Sequence, residues 1–178
     1  MSNFPILFRI MLVALVAVLG MIGGSTLLLL DKNQLANDMA QVKELGMLAP
    51  VVSGLVHEMQ IERGMSAAFI GSRGKNFSAE LPRQKSATDN QQNVLNDALA
   101  GFDTSAFGKG LSDKINTATT ALNGIGSVRS NVEGLGISVG EMAGYYTGTI
   151  GKLLSIVETM AVLSTDADVA RNIVAYTN

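Results

Sequence analysis

The sequence predicts an all-α chain: an N-terminal transmembrane helix followed by an antiparallel helical bundle. Three observations predict it. Ile10 to Leu30 is an unbroken run without a charge, apolar residues downstream recur at steps of three and four, and no period-two alternation rises above that pattern.

Residues 1–9 form a short flank. The run from Ile10 to Leu30 is long enough to cross a hydrocarbon core of about 30 Å at about 1.5 Å per residue. It exceeds the apolar core of about 7–15 residues in a signal peptide, and no small-residue cleavage site follows it, so an uncleaved anchor is the expectation. Arg9 lies on one side, Lys32 and Lys43 on the other, so charge assigns no orientation.

Residues 31–47 carry Leu35, Met39, Val42 and Leu45 at helical spacing and read as a connecting helix. Pro50 suits the first turn of a new helix, where its missing N–H is harmless. On that helix Val52, Val56, Met59, Arg63, Ser66 and Ile70 form one stripe, flanked by Val51, Leu55 and Phe69. Gly71 to Asn76 is a loop signal, and Pro82 opens a polar helix to about Phe102 with a thin stripe of Leu81, Leu95, Leu99 and Phe102. Leu111, Ile115, Ala118, Leu122 and Ile125 mark a third helix, continuing through Val128 and Val132 to Gly134. Ser138 and Glu141 have capping-box spacing ahead of Met142, Tyr146, Ile150, Leu153, Val157 and Met160. Thr165 to Asp168 resembles a further cap, and the helix it would start has no stop before Asn178, the pattern of a truncated chain.

Composition removes several function classes. There is no cysteine and a single His, so a disulfide framework, a thiolate nucleophile and a multi-histidine metal site are excluded. No catalytic residue pair, metal-ligand set or cofactor motif emerges. The formal charge of −2 is evenly spread without a basic block, from which no nucleic-acid partner is expected. Tyr145 and Tyr146 read as a core and rim pair, and His57 as a surface residue.

Arg63 stands out because it sits on an apolar stripe that no acid shares. A guanidinium inside a bundle cannot shed its proton, so an anion should meet it. Its fork of donors suits a flat oxyanion such as nitrate, nitrite or a carboxylate. The alternative is that Arg63 reaches solvent or pairs with Glu58, Asp89 or Glu141.

From Leu55 to Phe69 (LVHEMQIERGMSAAF) the chain resembles the NIT domain, the nitrate- and nitrite-sensing module of bacterial receptors. The similarity continues through Ser72-Arg73-Gly74, Phe77, Leu81, Arg83-Gln84-Lys85, Thr88-Asp89, the segment Leu122 to Arg129, and Tyr145-Tyr146-Thr147 before Ile150 and Leu153-Leu154. The resemblance implies an all-helical sensor of the kind found in chemoreceptors, histidine kinases, cyclases and antiterminators. It makes residues 48–178 the sensor domain, incomplete at its C-terminus because a second arginine motif of the family is expected beyond Asn178. It also makes Arg63 an anion-binding residue for nitrate or nitrite. The expectation that follows is a non-enzymatic signalling receptor in the bacterial inner membrane, in contact with lipid, its sensor domain periplasmic or extracellular, working as a homodimer. The competing expectation is a membrane-tethered dimerisation spacer with Arg63 in an ordinary ion pair and no ligand.

Overall fold

The computed structural model describes the backbone of residues 6–177 and the side chains of Leu15 and residues 39–165. It is all-α, with no strand among the described residues: α1 (Ile6–Gly71), α2 (Leu81–Ala100), a short 3-10 turn (Thr104–Phe107), α3 (Gly108–Leu122), α4 (Ile125–Glu133) and α5 (Val139–Thr177). The chain divides into two compact units, Met1–Gln41 and Val42–Asn178, and the packed core belongs to the second. The side chains of the Ile10–Leu30 run, expected to cross a membrane, lie outside the described residues. Among the described residues no helix is long and apolar enough to cross one.

Pro50 does not open a helix but lies inside α1. Leu45, Leu48, Val52 and Leu55 stay buried in unbroken three–four register across it, so packing holds a helix that proline would interrupt in isolation. Gly46, whose carbonyl the residue-50 N–H would otherwise engage, is exposed, leaving that acceptor to solvent. At its far end α1 closes with Gly74 in the left-handed region (φ 81°), its N–H donating to the Phe69 carbonyl at 2.8 Å.

The buried stripe of α1 continues through Met59, Glu62 and Ser66, not through Arg63. Positions three and four beyond Met59 flank the same face of the helix, so spacing does not choose between them. The choice is made by a cation on another helix that meets Glu62.

Cross-helix contacts set an antiparallel order. Glu58 of α1 meets Gln84 of α2, Gly54 lies against Gln91, and Leu48 shares a cavity of about 230 Å³ with Ala98 and Phe102. Lys85 and Asp89 of α2 meet Glu133 and Arg129 of α4 in the same opposed sense. The third helix of the sequence reading is two. α3 keeps its buried Leu111, Ile115, Ala118 and Leu122, then the chain breaks at Asn123–Gly124 before α4. A Cβ on Gly124 would stand 3.1 Å from the Tyr145 ring, whose hydroxyl donates to the Ala121 carbonyl at 2.8 Å. The break therefore seats a tyrosine of α5.

The Ser138–Glu141 capping box forms as its spacing predicts. The Ser138 N–H donates to Glu141 at 3.0 Å, and the Glu141 N–H donates to Ser138 Oγ at 3.2 Å. Thr165, by contrast, caps nothing. Its hydroxyl donates back to the Ala161 carbonyl at 2.9 Å, and α5 runs on without a break.

Candidate functional site

Both chemically distinctive arginines of the bundle lie at the end where α1, α2, α4 and α5 meet, and their surroundings differ. Glu62 is fully buried (0% exposed) on α1. Arg129 of α4 grips it with two parallel bonds, Nε to Oε1 at 2.7 Å and Nη2 to Oε2 at 2.9 Å. The remaining guanidinium nitrogen, Nη1, donates to Asp89 of α2 at 2.5 Å, and Nη2 also reaches the Lys85 carbonyl at 3.2 Å. From α5, the Tyr146 hydroxyl donates to Glu62 Oε1 at 2.7 Å. One buried carboxylate thus ties α4 and α5 to α1, and Arg129 brings in α2. Beside it, Lys85 donates to Glu133 at 2.6 Å.

The titration of these groups follows from the geometry. Burial pushes the Glu62 carboxyl up, but hydrogen bonds from Arg129 and Tyr146 and the Arg129 charge outweigh it, holding the carboxyl below its ordinary 4.5. Arg129 is held above its ordinary value, because bonds to Glu62 and Asp89 overcome the opposing effect of burial. Burial, then the adjacent Glu62 charge, push the Tyr146 phenol well up, so it remains a donor. Tyr145 and Tyr146 pack edge to face with centroids 5.5 Å apart, Tyr146 inward and Tyr145 half-buried.

Arg63 lies one residue from this cluster and in a different environment. It is half-buried, and its Nη1 donates to Thr147 Oγ1 of α5 at 2.9 Å. Among the described residues it makes no ion pair with a carboxylate. The three acids that could have paired with it are engaged elsewhere: Glu58 accepts from Gln84, Asp89 from Arg129, and Glu141 caps α5. His57 is exposed, and no group of acids or histidines among the described residues could hold a metal.

The pairing of Glu62 with Arg129 escaped the sequence reading, which set Glu62 off the stripe and gave Arg129 no role. Spacing offers no signal that favours it, because 52-55-59-62-66 and 52-56-59-63-66 both keep the helical step. Ser66, one turn beyond Glu62, is also buried, and its hydroxyl meets no protein donor or acceptor among the described residues.

A buried ionic knot, beside an arginine without a carboxylate among the described residues, places this chain among all-helical bundles with a charged interior. The family model for NIT, nitrate and nitrite sensing, matches residues 54–178, and the chain belongs to that family. It is similar to a nitrate regulatory protein of Klebsiella oxytoca, with 30% identity over 135 residues, covering 76% of this chain and 34% of that protein. It is also similar to the solved structure of the NasR transcription antiterminator, with a TM-score of 0.69 and 28% identity, covering 72% of this chain and 35% of that one. The chain thus spans about a third of the length of the relatives it matches.

These relatives correct two expectations. The exclusion of a nucleic-acid partner is withdrawn, because the similar solved structure is that of a transcription antiterminator. Even charge over a sensing region is no guide to what the remaining length of such a protein contacts. The inner-membrane placement, with its lipid contact and periplasmic or extracellular sensor, is withdrawn as well. No helix among the described residues is long and apolar enough to cross a membrane, and the similar proteins bear the names of a nitrate regulatory protein and a transcription antiterminator.

Proposed function

We propose that residues 48–178 act as a sensing domain that binds nitrate, nitrite or a similar small oxyanion at Arg63, and that the domain signals without catalysing a reaction. The observation that carries this reading is the contrast between the two arginines. Arg129 spends its donors on two carboxylates and a carbonyl, while Arg63 has one protein bond among the described residues, to a neutral hydroxyl. Its remaining N–H groups form a planar, permanently charged fork at a half-exposed position, suited to two parallel bonds with a flat anion. The family is that of nitrate and nitrite sensing, and the similar nitrate regulatory protein of Klebsiella oxytoca agrees with this reading.

An anion at Arg63 would draw on a group shared by α1 and α5, biasing how those helices pack and so carrying the signal. Calorimetric titration of the chain with sodium nitrate tests the assignment. Saturable heat is expected, abolished by Arg63→Ala and weakened about tenfold or more by Arg63→Lys, which keeps the charge and loses the fork. Undiminished nitrate heat in Arg63→Ala would move the site elsewhere. No heat with nitrate, nitrite or acetate would leave a purely structural bundle.

A further inference from the structure

We infer that Thr147 is the second determinant of the anion site, a positioning residue for Arg63 whose hydroxyl also donates to the bound oxyanion; this rests on the assignment of the anion to Arg63. Hydroxyl direction is the first ground. Thr88, Thr117, Thr119, Thr159 and Thr165 all turn their hydroxyls back to the carbonyl four residues earlier in their own helices. Thr147 is in a helix too, but its oxygen faces across to α1 and accepts the Arg63 Nη1 bond. A hydroxyl has one hydrogen and two lone pairs, so accepting from Arg63 leaves its O–H to donate to an acceptor beside the guanidinium. Nitrate and nitrite offer acceptors only, which complements a guanidinium and a hydroxyl on one side.

The second ground is how firmly both partners are placed. Glu62 and Arg63 are consecutive on α1, Tyr146 and Thr147 are consecutive on α5, and the pairs form two adjacent rungs, Glu62–Tyr146 and Arg63–Thr147. The inner rung is buried and further fixed by Arg129. Each outer residue follows its inner neighbour by one step of about 100° around its helix, so the buried rung sets the relative positions of Arg63 and Thr147. Preorganised donors need no reordering when an anion arrives, which favours affinity.

Nitrate titration of the chain carrying Thr147→Val, Thr147→Ser or no change tests this, with thermal midpoints measured without nitrate. Valine keeps the shape and removes the hydroxyl, and roughly tenfold weaker nitrate binding is expected, with the midpoint unmoved because the residue is exposed. Serine restores the hydroxyl and should return affinity to within about threefold of the unaltered chain. Nitrate affinity in Thr147→Val equal to the unaltered chain, or failure of serine to rescue it, overturns the inference. A Thr147→Val chain whose midpoint falls in step with its affinity also overturns it, since the residue would then be acting on folding. If the unaltered chain takes up no nitrate at all, the Arg63 reading fails and this inference with it. If Arg63→Ala abolishes binding while Thr147→Val does not, only the inference fails.

Discussion

Glu62 is a carboxylate with no access to water, and its ionisation is sustained by Arg129 of α4 and Tyr146 of α5. A carboxyl whose folded value lies below its ordinary 4.5 lends stability in full above that value and loses it as pH falls further. Glu133, Glu141 and Asp103 are lowered in the same direction, by hydrogen bonds from Lys85, Ser138 and Ser105 respectively, so all four act together. The urea midpoint should therefore be level from about pH 7 to pH 5 and fall below about pH 4.5. Glu62→Gln leaves the Arg129 charge partly unmatched in a buried position and should cost about 3–5 kcal/mol at neutral pH, with a shallower acid limb. An unchanged midpoint at pH 7 would show that the buried pair is replaceable. The residue scale is also where the sequence was least readable. Arg63 reads as the charge on the apolar stripe, yet the charge buried on the stripe is its neighbour Glu62. A one-residue ambiguity of about 100° can be resolved only by a partner 67 positions away, and no local pattern carries that information.

The helices themselves were mostly legible, because their buried faces repeat with the helical period. The stripe of α3, the capping box of α5 and the loop after Gly71 all follow from spacing and turn chemistry. The boundaries that failed are those where packing overrides a local breaker. Pro50 reads as a helix start, but Leu45, Leu48 and Val52 need one continuous face. Asn123–Gly124 reads as helix interior, but Tyr145 needs the room. Because Pro50 is exposed and mid-helix, it costs α1 a hydrogen bond without contributing to the core. Pro50→Ala should then stabilise the folded chain by about 1–3 kcal/mol, read as a raised urea midpoint at constant slope. A lowered midpoint would mean that the proline fixes a bend the core requires, and that register rather than propensity governs this segment.

At the scale of the molecule, fold class was readable because helical periodicity pervades the chain, whereas setting was not. Net charge and an apolar N-terminal run describe the chain's own solvation, and neither reports what the longer relatives contact. What the whole bundle does supply is coincidence: Arg63 and Thr147 are 84 residues apart in the chain and meet only when α1 and α5 are packed. The unfolded chain cannot offer both groups to one anion, so an anion held there binds the native state alone. By linkage, nitrate at about a hundred times its dissociation constant should raise unfolding free energy by about 2.7 kcal/mol. The denaturant slope should stay constant, since the exposed surface is unchanged. Arg63→Ala should abolish this shift, and Thr147→Val should displace it to about tenfold higher nitrate. Chloride at equal ionic strength separates linkage from general salt effects, because a spherical ion cannot match two parallel donors. Equal stabilisation by chloride and nitrate, persisting in Arg63→Ala, would mean that nitrate acts as a bulk salt and that the fork at Arg63 holds no ligand.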